Sequence, residues 1–344
     1  MPYFSLKSFS LWLAAVACLP LGSLANAGIT IDWVTVGDAG NANDTGGTGN
    51  GAVAASFRIM KYEFTNQQYT DFLNSVDSSG TNPYSVYNTN MGSDARGGIS
   101  FTSGNASGSK YAIRTNMGDK PVNYVSWFDA ARVSNWLMNG ALSSSSTETG
   151  AYTLVGGQTT GTAPAVNSNA TFYLPTENQW YKAAYYKGGG TSAGYWNYAT
   201  QSNSAPTAVT AGSTGIGSAG STGNFANYNS NADWNSQNGN VTTVGTNGGP
   251  SFYGAFDMSG NVYEWNDSIA GSSRGLRGGR WDLGAVNLSS SFSGSDGPSN
   301  MSSMLGFRLA SSAAVPEIDP SGLSAVLGLL FGGLGLLERR RYGR

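Results

Sequence analysis

Three stretches, roughly 77–110, 139–168 and 188–250, carry no hydrophobic periodicity and are built mainly of Gly, Ser, Thr and Asn. Loops of this length are uncommon inside one domain and normally signify binding surfaces or disorder. They leave short segments to supply all the regular structure. No period of 20–50 residues recurs, which excludes a solenoid or a propeller. Aromatic residues make up 12% of the chain and provide the means for a core, although only 11% of residues are charged, against about 25% in ordinary soluble domains. The chain is therefore expected to be globular with long neutral loops, not disordered.

Between the loops, helix starts are legible. Thr65 can cap "NQQYTDFLNSV", where Tyr69, Phe72, Leu73 and Val76 recur at helical spacing. Ser126 can cap "WFDAARVSNWLMNG", with Trp127, Ala130, Ala131, Leu137 and Met138 on one stripe and Gly140 as the stop. Thr176 begins a shorter helix, "ENQWYKAAYY", and "SFRIMKYEF" and "LGFRLA" read as strands. The expectation is an α+β domain with two main helices, short strands and much irregular loop.

Charge and composition remove several functions. Lys and Arg total 18 against 20 Asp and Glu, so no basic surface for nucleic acid is expected. There is no histidine, hence neither the commonest general base nor the commonest transition-metal ligand. The single cysteine, Cys18, lies in an N-terminal apolar segment. A chain cleaved beyond it has no disulfide, thiolate nucleophile or cysteine-bound metal.

That segment reads as a secretory signal over residues 1–27. Lys7 gives the positive start, "LWLAAVACLPLGSLA" the apolar stretch, and Ala25-Asn26-Ala27 the cleavage site. A lipoprotein signal on Cys18 is disfavoured because Ala15 stands where leucine is usual. At the other end, residues 315–344 place Val315, Pro316 and Glu317 before the apolar run Leu323 to Leu337 and then Arg339-Arg340-Arg341. A run of this length falls short of the roughly 20 residues of a stable span, and terminal arginines hold that end in the cytoplasm. The pattern resembles a PEP-CTERM sorting signal, with Ile318 in place of the second proline. That resemblance implies transient anchoring in the inner membrane of a Gram-negative bacterium, removal of the tail by an exosortase, and release to the cell surface or the extracellular matrix.

The body, 28–314, carries five segments in order: "YEFTNQQYTDFLN", "PVNYVSWFDAARVSNWL", "YLPTENQWYKAA", "YGAFDMSGNVYEW" and "RGGRW…LGFR". Together they resemble the formylglycine-generating enzyme, or sulfatase-modifying factor, family, which implies a C-type-lectin-like fold. In "DMSGNVYEW", Gly260 permits a strained turn while Asp257 and Glu264 supply carboxylates, and carbonyls with two carboxylates suit calcium. The resemblance implies Asp257 and Glu264 as side-chain ligands and Gly260 and Val262 as carbonyl ligands. A second calcium site of the family would begin at Asn227 and Tyr228, without a matching acidic ligand downstream.

The resemblance also implies an enzyme that oxidises a substrate cysteine with two active-site cysteines, copper and oxygen. The positions matching those cysteines hold Leu283 and, approximately, Leu288, and Arg280 replaces the family's serine. Copper(I) requires soft ligands that leucine cannot provide, so no copper is expected. A related group that binds iron through histidines is equally excluded. The reading is a secreted pseudo-enzyme that binds a ligand, either exopolysaccharide or a surface protein. The resemblance, whose fold also serves as a ligand-display scaffold, implies a binding face at Asp282 to Met304, with Trp196, Tyr198, Trp234, Tyr84 and Tyr87 as candidate stacking residues. The alternatives are an enzyme of this family or a carboxylate-based hydrolase with unrecognised chemistry, or a subunit docking to an active relative. "WND" at Trp265-Asn266-Asp267 imitates a lectin motif, but its context makes Trp265 a core residue.

Overall fold

Thr65, Ser126 and Thr176 each adopt extended backbone and accept a hydrogen bond from the amide three residues on, while the side-chain oxygens of Gln68, Asp129 and Gln179 accept one from the cap's own amide. These reciprocal caps satisfy donors that the first helical turn leaves unpaired, and they fix the start of each main helix. The computed structural model describes residues 29–312. The expected secretory signal at 1–27 and the expected sorting signal at 315–344, with Val315, Pro316 and Glu317, lie outside the described residues. Among the described residues no helix is long and apolar enough to cross a membrane.

In chain order the elements are β1 (Trp33–Val36), β2 (Phe57–Met60), α1 (Asn66–Val76), the single-turn α2 (Asn90–Ser93), β3 (Ile99–Phe101), β4 (Tyr111–Ile113), α3 (Trp127–Met138), β5 (Phe172–Tyr173), α4 (Glu177–Tyr185), β6 (Thr207–Ala208), β7 (Phe225–Ala226), β8 (Tyr263–Ala270), β9 (Ser273–Arg277), β10 (Gly294–Asp296), β11 (Leu305–Phe307) and β12 (Ala310–Ser311). One four-stranded sheet runs β1-β2-β12-β5 and is antiparallel throughout. A second runs β10-β9-β8-β11, with β11 parallel to β8. The architecture is α+β with short strands, as the segment pattern implied.

Two expectations change. "LGFRLA" is not one strand: it leaves the second sheet after Phe307 and joins the first at Ala310. Arg308 stands at the crossing, fully buried, and its guanidinium needs partners from both sides. Helix α3 does not bury a single stripe. Phe128, Arg132, Val133, Asn135 and Trp136 are buried along with Trp127, Ala130 and Ala131, whereas Leu137 and Met138 are only half-buried. The loop 139–168 wraps the helix and satisfies its polar side. The Asn135 amide donates to the carbonyls of Thr147 and Tyr152 and accepts from the Tyr152 amide at 2.7 Å.

The neutral loops are built the same way. Asn82, Asn139 and Asn224 side chains each bridge two or more backbone or hydroxyl groups of their own loop. Short asparagine amides thus replace the ladder hydrogen bonds that these segments lack.

Candidate functional site

Strand β9 ends in the Gly278-Gly279 turn, with φ of +94° and +77°. A β-carbon on Gly279 would lie 2.7 Å from the Leu288 side chain, and one on Gly278 would press on Trp180 at 3.3 Å. The double glycine therefore lets one turn pack between Trp180 and Leu288. Leu288 is fully buried and Leu283 packs against the main core. Both positions that the resemblance implies for the family's redox cysteines, Leu288 only approximately, are hydrophobic packing positions. They do not fit a copper ion, because neither offers a donor atom.

The face above this turn is also occupied. Trp281 joins Met117, Trp234, Val241 and Val262 in a second, smaller core, and the Arg96 guanidinium lies 4.3 Å from its ring. Arg280 pairs with Asp282 at 2.7 Å, both partly exposed. From Asp282 onward the segment is a 3-10 turn over Ala285–Leu288, then β10, then irregular chain to Met304. Val286 is 66% exposed, so the segment presents an apolar side chain at the surface there.

The 257–264 turn is built against Asn227. Gly260 has φ +89°, and a β-carbon there would sit 2.2 Å from the Asn227 carbonyl oxygen. The Asn261 amide donates to that oxygen at 2.8 Å. The two carboxylates flanking the turn are already engaged. Glu264 is fully buried; Oε1 accepts from Arg308 Nη2 at 2.6 Å, and Oε2 accepts from Arg308 Nε and Trp180 Nε1, each at 2.7 Å. A guanidinium supplies the positive charge that a calcium ion would bring, so the residues around Glu264 do not fit calcium. Asp257 accepts from the Gly245 amide at 2.5 Å and the Asn247 amide at 2.8 Å. Burial raises its pKa, partly offset by these two donors. Among the described residues no group of three or more acidic side chains is arranged to hold a metal.

A third acid completes this centre. Glu63 is fully buried and accepts from Asn261 Nδ2 at 2.7 Å. Burial, reinforced by the charges of Asp257 and Glu264, pushes its carboxyl well above the usual range. Sequence reasoning missed Glu63 and Arg308 as members of this centre. Their signal was present as a glutamate between apolar positions in "YEF" and an arginine between apolar neighbours in "GFRL".

A sulfatase-modifying factor enzyme 1-like domain is matched by residues 34–313, nearly the whole described body. The chain belongs to that family. Among solved structures it resembles CarF, with 21% identity over 83% of this chain and 99% of that one and a TM-score of 0.51. It also resembles Treponema denticola variable protein 1 (21% identity, 82% and 95% coverage, TM-score 0.47) and PvdO from Pseudomonas aeruginosa (16%, 83% and 93%, TM-score 0.42). These likenesses speak to fold alone. A search of curated protein sequences returned no significant match.

Within this sulfatase-modifying-factor-like domain, Asn227 and Tyr228 present a different picture from the 257–264 turn. Asn227 is fully buried; its amide nitrogen donates to the Asn240 carbonyl, Thr242 Oγ1 and Asn261 Oδ1. Its Oδ1 is buried with no hydrogen-bond partner. An orphaned buried carbonyl oxygen is one of the ligand types a hard cation takes, so Asn227 offers a free donor atom where Glu264 does not. The Tyr228 hydroxyl donates to the Pro206 carbonyl at 2.6 Å.

The candidate stacking aromatics divide. Trp234 and Tyr87 are buried core residues, Trp234 donating to the Val241 carbonyl at 2.8 Å. Their expected surface role is corrected: apolar packing beneath the loops claims them. Tyr84, Trp196 and Tyr198 are half-buried, and Lys187 covers the Trp196 ring at 4.6 Å. Trp265 is core, Asn266 binds Glu177, and Asp267 pairs with Arg274 at 2.9 Å.

Proposed function

We propose that this family member is an exported, non-catalytic binding domain whose ligand is a saccharide of the surface or matrix, with a surface protein as the second candidate partner. What supports the reading is the pair Leu283 and Leu288: packing residues stand where the family's chemistry needs thiolates, and no histidine exists to substitute. The hydrolase alternative loses its carboxylate pair, since Glu264 is closed by three donors. The leader and the Pro-Glu tail motif support export, transient inner-membrane anchoring through the C-terminal segment, and processing by an exosortase at a Gram-negative surface. Calcium, in this reading, is a structural ion at Asn227 and Tyr228.

A glycan array probed with and without EDTA tests the binding. Retention of saccharides in both conditions supports a calcium-independent binding face, and failure to retain any saccharide contradicts the saccharide reading. For the ion, thermal stability is expected to rise with millimolar calcium in the native chain and not in Asn227→Ala, by RT ln(1 + [Ca]/Kd). An equal response of both chains would remove calcium from that position.

A further inference from the structure

Behind β7 the described chain encloses a small polar pocket, with roughly 220 Å³ of space open at its mouth. Thr200, Ser251, Asp257 and Ser259 line it, and Phe225 forms its rim. The site belongs to none of the positions matched to redox cysteines.

Its hydrogen-bonding groups are only half used. Ser251 Oγ accepts from the Ala255 amide at 3.3 Å and Ser259 Oγ from the Ala199 amide at 3.4 Å. Each hydroxyl retains a proton that it donates to no other described residue. Each Asp257 oxygen takes a single donor, and an ionised carboxylate has about four acceptor positions in all. The pocket therefore offers donors and acceptors together. A hydroxyl, which both donates and accepts, matches that set. An ammonium would use the acceptors alone.

Size and rim narrow the ligand further. The floor admits about one water-sized group, so only the tip of a ligand enters. Phe225 is 36% exposed at the mouth, an apolar ring beside a polar opening. Such a ring suits the C–H face of a sugar whose exocyclic group reaches inward. We propose that this pocket binds the hydroxymethyl group of a hexose, Asp257 accepting its proton and Ser251 and Ser259 donating to its oxygen, while the sugar ring lies on Phe225. The proposal rests on the saccharide reading above and gives it a location.

Ligand-observed NMR with the full chain, using methyl α-glucoside, methyl α-galactoside and their 6-deoxy counterparts, tests it. At least one 6-hydroxy glycoside is expected to bind, and its 6-deoxy counterpart more than about tenfold more weakly. Phe225→Ala, on the exposed rim, and Asp257→Asn, which keeps the side-chain shape and a residue tolerant of the local φ of +55°, are each expected to weaken binding by about tenfold or more. Equal binding of the 6-deoxy sugars overturns the pocket, as does native affinity in both variants. In either case the array result still stands, so the saccharide reading survives. No binding of any glycoside at tens of millimolar also overturns the pocket, while the array reports separately on the wider reading. Loss of binding in EDTA with the native circular dichroism and melting transition retained would place a cation, not a hydroxyl, against Asp257 and equally overturn the proposal.

Discussion

Replacing Glu264 by alanine separates a calcium ligand from an arginine partner. Arg308 is fully buried, and among the described residues its hydrogen bonds besides those to Glu264 go to the carbonyls of Met60, Lys61 and Phe256. Truncating Glu264 removes both of its charge-assisted bonds and the acceptor of the Trp180 indole N–H. Deleting one member of a buried ion pair costs about 3–5 kcal/mol, because the remaining charge is left uncompensated. A body of roughly 280 residues unfolds with an entropy of about 0.6 kcal/mol/K. The melting temperature should therefore fall by about 5–8 °C. If Glu264 serves Arg308, the fall is the same in millimolar calcium and in EDTA, as followed by calorimetry or circular dichroism. A loss confined to calcium-containing buffer would mean instead that an ion occupies the carboxylate. Glu264→Gln combined with Arg308→Met should cost less than the two single losses added together.

Two further outcomes follow from particular buried groups. Burial raises the Asp129 pKa to about 6, against the Ser126 hydrogen bonds and Arg132 that lower it. Between the unfolded value near 4 and this one the folded chain binds the extra proton, so this group's stabilising contribution is present below about pH 4 and lost as pH rises to about 6. Asp129→Asn should gain on the native chain by up to about 3 kcal/mol between pH 4 and 7; a stability difference flat across that range, measured by denaturant titration, would argue against it. Leu288→Ala should cost about 2–5 kcal/mol by opening a cavity against Gly279; a cost below about 1 kcal/mol would mean that Leu288 is not a packing residue.

Legibility in this chain followed the range of the interactions. The caps at Thr65, Ser126 and Thr176 are completed within three residues, so the sequence displays them directly. The Gly-Gly turn and the core role of Trp265 were also readable, because residue type alone dictates backbone freedom or burial there. What could not be read depends on partners far along the chain. Arg308 meets Glu264 across 44 positions, and Asn261 meets Glu63 across 198; apolar neighbours mark Glu63 and Arg308 as buried, but no local pattern names their partners. The carboxylates of the 257–264 turn looked available in sequence because their donors arrive from α4, from the 245–247 loop and from the sheet crossing. The α3 stripe misled for a related reason: a helix wrapped by its own following loop buries polar residues that periodicity assigns to solvent.

We propose that the family's frame persists in this chain without its oxidation chemistry. The most direct measurement incubates the purified chain with copper(I), oxygen and a cysteine-containing peptide, and follows formylglycine by mass spectrometry. With Leu283 and Leu288 in place of thiolates, the peptide is predicted to remain a thiol, or an ordinary disulfide, at the rate of copper alone. Copper-dependent formation of formylglycine above that rate would contradict the claim.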